Sequence, residues 1–224
     1  MKNPTPVTPL EKPPRWQQCL HAGHQARKKG VTAAAEKLYL AALKEVEALP
    51  PADERLQSVL LALGSHYTER GKFATAETHI QRAWKIQAQS TGPDDPSVVP
   101  FLNQLARLYT LESRYEEAET LLTGALHIIE TSPQSNYNLR IGSLCTLASL
   151  YLTERKYDQA EPLLRRAMVA AEDIVGSPHP SLPAIMGMYA DLMHKLDRHI
   201  EAEIFQNNAK HLRQQSPQTL SPAV

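Results

Sequence analysis

The amino-acid sequence predicts an all-α chain: a right-handed α-solenoid, or superhelix, of about five helix–turn–helix repeats. Three observations predict it. A stretch of 22 residues recurs along the chain at a spacing of 41 or 42 residues. The apolar residues inside each copy follow a helical period. Gly is scarce, at 9 of 224 residues, while Ala and Leu are abundant, which favours helices.

The two copies most alike are LARLYTLESRYEEAETLLTGAL (105–126) and LASLYLTERKYDQAEPLLRRAM (147–168). A shift of 42 upstream reaches LGSHYTERGKFATAETHIQRAW (63–84), and the same shift downstream reaches YADLMHKLDRHIEAEIFQNNAK (189–210). A further shift of 41 upstream reaches AGHQARKKGVTAAAEKLYLAAL (22–43). In every copy two alanines stand seven apart: Ala35 and Ala42, Ala76 and Ala83, Ala118 and Ala125, Ala160 and Ala167, Ala202 and Ala209. Glu follows the first alanine each time (Glu36, Glu77, Glu119, Glu161, Glu203), and a large apolar residue stands four after it in four copies (Tyr39, Ile80, Leu122, Leu164).

Each copy reads as two helices. Leu102, Leu105, Ala106 and Tyr109 fall on one face of a first helix, and Ala118, Leu122, Ala125 and Ile129 on one face of a second. The break between them contains Gly71 in one copy, a C-cap position, and "ESRYEE" in another. Small residues at the alanine positions let two helix backbones approach closely. The repeats are expected at 16–49, 56–91, 97–132, 138–175 and 181–214, within a solenoid spanning 15–215. Residues 1–14 carry five prolines and are expected to be a disordered arm, with 216–224 a disordered tail. Pro162 is expected in the first turn of its helix. In the last copy the apolar positions of the second helix become Gln206 and Lys210, the polar outer face a terminal repeat needs.

The order apolar, two residues, Leu, small, two residues, Tyr, then Ala, three residues, apolar resembles the tetratricopeptide repeat (TPR). The 42-residue period, with "LNQLARLY", "YEEAETLL" and the connectors "GPDDPSV" and "GSPHPSL", is similar to the kinesin light chain subtype of that repeat. The resemblance implies that the first helix of each pair lines a concave groove and that Asn103 in "LNQLARLY" acts as a clamp on a bound peptide's backbone.

Composition and motifs exclude several classes of function. Basic and acidic residues balance at 24 each, so no global charge attracts nucleic acid or an anionic membrane. Aromatic stacking residues are not interleaved with the basic run "ARKKG" at 26–30, so no nucleic-acid partner is expected. No run approaches the apolar length of a membrane span, and no membrane association is expected. Two cysteines, Cys19 and Cys145, make no disulfide framework, so a reducing, cytoplasmic setting is expected. The nine histidines form no four-ligand set and no His-Glu-x-x-His, so no metal and no cofactor is expected. No phosphate-binding loop and no nucleophile elbow occurs, so no catalytic residue is assigned and the chain is read as non-enzymatic.

The expected function is therefore a scaffold or adaptor that binds a protein or peptide in its groove. Helical spacing turns a set of polar residues into that groove: His24, Arg27 and Lys28 in the first repeat; Ser65 and Thr68 in the second; Asn103, Gln104, Arg107 and Thr110 in the third; Ser149 in the fourth; Asp191 and Lys195 in the fifth. Asn103, Gln104 and Arg107 form the expected centre. Residues 1–48 carry eight Lys/Arg against four Glu, so Arg27 and Lys28 are expected to attract acidic residues. The alternative is a subunit that self-associates or joins a larger complex through its ends or convex face, with Trp16, Cys19 and Leu20 at an open edge. The oligomeric state is left open, a monomer included.

Overall fold

The computed structural model describes residues 13–50, 53–132, 136–172 and 179–215. Most of the expected N-terminal arm and all of the expected tail lie outside the described residues. The described residues form ten α-helices and one short 3-10 turn, with no strand among them. The chain divides into two compact units, one up to Ile86 and one from Gln87 onward. The first contains α1 (Arg15–Lys28), α2 (Thr32–Val46), α3 (Glu54–Glu69) and most of α4 (Phe73–Thr91). The second contains the turn Pro96–Val98, α5 (Val99–Leu111), α6 (Tyr115–Thr131), α7 (Tyr137–Thr153), α8 (Tyr157–Glu172), α9 (Leu182–Lys195) and α10 (His199–Gln215).

In the first unit α1 packs on α2, and both pack on α3. Its core holds Ala35, Tyr39, Ala42, Val59, Leu60, Leu63, Ile80 and Ala83, each sealed from solvent. Two glycines set the helix spacing. A Cβ on Gly23 would stand 2.6 Å from Tyr39 Cε1, and one on Gly64 would overlap Ile80 Cγ1. The corresponding positions in the later copies hold Ala106, Ala148 and Ala190. A glycine therefore stands where the facing residue is the aromatic Tyr39 or the β-branched Ile80, and the leucines Leu122 and Leu164 leave room for a methyl.

The second unit repeats one pattern. Each first helix packs on its own partner (α5 on α6, α7 on α8, α9 on α10), and each second helix packs on the next first helix (α6 on α7, α8 on α9). Helices α5 and α7 also touch directly, so these two first helices share a face. Tyr189 of α9 meets the Phe205 ring of α10 at 4.6 Å between centroids.

The breaks inside the pairs share one backbone device. Gly71 has φ 69°, and the next amide, Lys72, donates to the Tyr67 carbonyl at 2.9 Å. Ser113, Arg155 and Asp197 adopt the same left-handed conformation at φ 61°, 61° and 58°. The amides after them close onto Tyr109, Tyr151 and Met193 at 2.8, 2.8 and 2.9 Å. These bonds satisfy carbonyls that the helix end would leave open. The Gly71 cap is thus one instance of a repeated turn, which Gly30 (φ 73°) forms in the first repeat and residues with a Cβ form in the last three.

A tyrosine–glutamate bond ties successive pairs. The Tyr67 hydroxyl donates to Glu36 at 3.0 Å, Tyr151 to Glu119 at 2.8 Å and Tyr189 to Glu161 at 2.9 Å. These glutamates are the ones that follow the first alanine of each copy. A cation completes each site: Lys72 lies 3.6 Å from Glu36, Lys156 4.0 Å from Glu119, and Arg198 3.0 Å from Glu161. Burial and the glutamate partner push the Tyr151 phenol up to about 12, so the bond survives at any physiological pH. A hydrogen bond to a charged acceptor is worth about 1.5–3 kcal/mol when well shielded, less where water reaches it.

Two details differ from the sequence reading. Helix α8 begins at Tyr157, so Pro162 sits in its second turn and removes one interior hydrogen bond. In α10 Lys210 is exposed and Gln206 half-buried, but Ile200 and Ile204 are also exposed, so this terminal face is mixed.

A string of rings runs through the first unit. His24 meets Tyr39 edge-on, Tyr39 meets His66, His66 meets Tyr67, and Tyr67 stacks on His79 at 5.6 Å. Burial is the main cause holding all three imidazoles below their ordinary value, with Arg27 adding to it at His24 and Arg82 at His79. Glu36 and Glu69 oppose the shift at His66, whose Nε2 is buried without a hydrogen-bond partner.

Two outcomes are expected. Gly64→Ala forces a methyl into Ile80 and should destabilise the chain by about 1–3 kcal/mol, read as a lower denaturation midpoint. An unchanged midpoint would show that α3 and α4 have slack at this crossing. The histidines give a pH dependence of definite sign. Their folded values lie below the unfolded one, so below about pH 6.5 the unfolded chain takes up protons that the folded chain refuses. Stability should fall between about pH 7 and about pH 5.5, above the window in which carboxylates titrate. Thermal melts across that interval test this; a flat midpoint would sink it.

Candidate functional site

Burying Leu102, Leu105, Ala106 and Tyr109 in the core leaves Arg107 and Leu111 of α5 exposed and Thr110 half-buried. The same logic on α7 buries Leu144, Leu147, Ala148 and Tyr151 and leaves Cys145, Thr146 and Ser149 accessible. Because α5 and α7 lie side by side, these two sets meet. They line a shallow pocket of ≈ 440 Å³ formed by Arg107, Thr110, Leu111, Cys145, Thr146, Ser149, Leu150 and Thr153.

The polar groups of this pocket are not equivalent. Thr110 donates to the Ala106 carbonyl, Thr146 to Gly142 and Thr153 to Ser149, each at 2.8 Å. Their hydroxyl protons are committed, and their oxygens remain as acceptors. Arg107 is exposed and has no side-chain partner among the described residues, so it is the pocket's free cation and donor. Burial pushes the Cys145 thiol up to about 11, so it stays protonated and is a weak nucleophile at neutral pH.

The expected central residue behaves differently from the rest. Asn103 Nδ2 donates to Ser143 Oγ at 3.0 Å, and Ser143 Oγ donates back to Asn103 Oδ1 at 3.1 Å. Ser143 is fully buried. One donor and one acceptor of the Asn103 amide therefore bind α5 to α7. Gln104 is half-buried beside it. Ser143 was missed, although a signal existed: the equivalent positions in other copies hold Val59, Phe101 and Ile185, so a serine there marks a buried polar contact.

The other residues divide between the units. In the second, Asp191 and Lys195 are exposed on α9, outside the pocket. In the first, Lys28 is exposed and Ser65 half-buried. His24 Nδ1 lies 3.0 Å from the Tyr39 hydroxyl. Arg27 pairs with Glu69 at 2.6 Å, a neighbour 42 residues away, so its charge is already met inside the chain. Thr68 is only 6% exposed and donates to the Gly64 carbonyl at 2.8 Å, so its assignment to the groove surface is corrected: the helix packing encloses it. Among the described residues no three His, Cys, Asp or Glu side chains stand together as a metal site, and no helix is long and apolar enough to cross a membrane.

Two family models described as tetratricopeptide repeat match the sequence, one over residues 55–130 and one over 140–181. The chain belongs to the tetratricopeptide-repeat family. Its fold is an all-α solenoid, and solved kinesin light chain-like repeats are among the structures it resembles. A crystal structure from Podosopora anserina of kinesin light chain nearly identical TPR-like repeats matches at TM-score 0.64 and 20% identity, over 94% of this chain and 100% of that one. BtubC (BKLC) from P. vanneervenii matches at TM-score 0.69 and 20% identity, over 93% and 83%. A thermophilic TPR protein of Thermus thermophilus matches at TM-score 0.64 and 20% identity, over 90% and 93%. No curated protein matches the sequence. At this identity the likeness concerns the fold, and the TPR fold is in general a scaffold for protein–protein interaction.

The Asn103–Ser143 pair makes its own prediction. Asn103→Ala strands a buried hydroxyl and should cost about 1–3 kcal/mol, read as a lower denaturant midpoint. Adding Ser143→Ala should recover part of that loss. Strictly additive losses in the cycle would mean the two side chains do not interact.

Proposed function

We propose that this TPR chain is a non-enzymatic adaptor that holds an extended peptide segment of a partner protein along the face shared by its first helices. The observation that carries the reading is the pocket between α5 and α7, where Arg107, Thr110 and Ser149 come together beside the exposed apolar side chain of Leu111. Its chemistry suits a peptide. Arg107 offers an unpaired guanidinium to a carboxylate, the threonine oxygens accept from main-chain N–H groups, and Leu111 meets a small apolar side chain. Asn103, Gln104 and Ser143 support this wall by fixing α5 against α7, with the remaining amide hydrogen of Asn103 available to a ligand. Asp191 and Lys195 add exposed polar side chains on α9 of the same unit. The protonated Cys145 thiol is in keeping with binding without chemistry.

The test is affinity capture with the native chain, followed by titration of the purified partner against Arg107→Ala and Ser149→Arg. Neither change touches a core residue, and the arginine fills the pocket. Tenfold or greater weakening by both variants, with unaltered melting, is the expected result. Full affinity in both would remove the pocket from the binding site.

A further inference from the structure

The turn between α9 and α10 gathers three departures from the repeat. Where the first helices of the second, third and fourth copies carry Thr68, Thr110 and Leu152, α9 carries His194. Where their second helices open on Phe73, Tyr115 and Tyr157, α10 opens on His199. Where those helices bury Ile80, Leu122 and Leu164, α10 carries the half-buried Gln206. The fold brings all three side chains to one place.

His194 Nδ1 lies 3.3 Å from His199 Nδ1. One of these nitrogens donates a proton to the lone pair of the other, and a metal ion accepting both lone pairs would take that proton's place. The spacing selects the ion. Two Zn–N bonds of about 2.0–2.1 Å at a tetrahedral angle set their nitrogens about 3.3 Å apart, whereas the right angle of a square-planar ion sets them about 2.9 Å apart. The observed separation is the tetrahedral one.

The outer nitrogens have the surroundings a ligand needs. A metal-bound imidazole ordinarily gives its other N–H to an oxygen, which fixes the ring. His194 Nε2 faces the Gln206 carboxamide at 3.4 Å, and a half-turn of that amide presents its oxygen. His199 Nε2 faces an Asp197 carboxylate oxygen at 3.8 Å. Each ring therefore aims one nitrogen at its partner and the other at an oxygen-bearing side chain. The backbone holds them in register: Asp197 sits at φ 58°, and the Arg198 amide closes onto the Met193 carbonyl at 2.9 Å. Arg198 itself is turned to Glu161 and Glu201, at 3.0 and 2.6 Å, so carboxylates meet its charge.

We propose that His194 and His199 form a two-histidine site for zinc(II), with water in the remaining coordination positions. The bound ion ties the end of α9 to the start of α10. The expectation of no metal rested on a complete four-ligand set; a site finished by water needs only two side chains.

The experiment uses the full chain without a histidine tag, labelled with nitrogen-15, and zinc chloride as the probe. Long-range proton–nitrogen spectra separate the two nitrogens of each imidazole. The Nδ1 signals of His194 and His199 should move together and saturate at one ion per chain, with both Nε2 atoms protonated, while the exposed His127 keeps its shifts. His194→Thr and His199→Tyr install the residues that the third copy carries, Thr110 and Tyr115, and should keep the fold. Each should weaken zinc binding about tenfold or more, because a single imidazole forms no chelate. The joint movement is read on the unaltered chain, so a folding defect in a variant cannot produce it. Movement of only one of the two imidazoles, unchanged zinc binding in both variants, or no saturable shift at millimolar zinc would each overturn the assignment.

Discussion

The closeness of two helices at a pair of alanines is the constraint on which everything else rests. Ala35, Ala42, Ala76, Ala83, Ala118, Ala125, Ala160, Ala167, Ala202 and Ala209 are all essentially inaccessible, at 0–2% exposure. A larger side chain there would separate the backbones, and the large residues that fill the remaining space, Tyr39, Ile80, Leu122 and Leu164, would lose their fit. Within each unit a closed pair then offers a glutamate of its second helix to the tyrosine of the next first helix: Glu36 to Tyr67, Glu119 to Tyr151 and Glu161 to Tyr189. The crossing fixes the pair, and within each unit the tyrosine–glutamate bond ties one pair to the next.

That geometry also decides which side chains are free to meet a partner. Packing consumes one stripe of every first helix, and neighbouring first helices then compete for the polar residues left over. Asn103 and Ser143 satisfy each other, and Arg27 and Glu69 do the same. Arg107 and Arg140 find no such partner among the described residues. Each of them opens onto a cavity of the second unit, Arg107 between α5 and α7 and Arg140 between α6, α7 and α8.

The helices were legible because their signal is local. Ala118, Leu122, Ala125 and Ile129 carry their period within one element, and the phase of 42 residues repeats it down the chain. A glycine marks the turn between helices at Gly71, where it was read as a cap, and again at Gly30. Ser113, Arg155 and Asp197 take the same left-handed conformation without advertising it, since a residue with a Cβ does so only when the surrounding turn demands it. Pro162 was misplaced by a turn for a related reason: where a helix starts depends on which carbonyls find partners.

By itself, then, the sequence determined that this protein is a stack of paired helices, which faces are buried, and that a TPR-like surface of first helices remains. It did so because apolar period and small-residue spacing act over a few residues and repeat. Only the tertiary structure decided which polar side chains of that surface are already spent. Asn103 meets Ser143 across 40 residues, Arg27 meets Glu69 across 42, and Thr68 is closed in by its own neighbours. Hydrogen bonds and ion pairs depend on distances of a few tenths of an ångström between separate helices, and no local pattern carries that information.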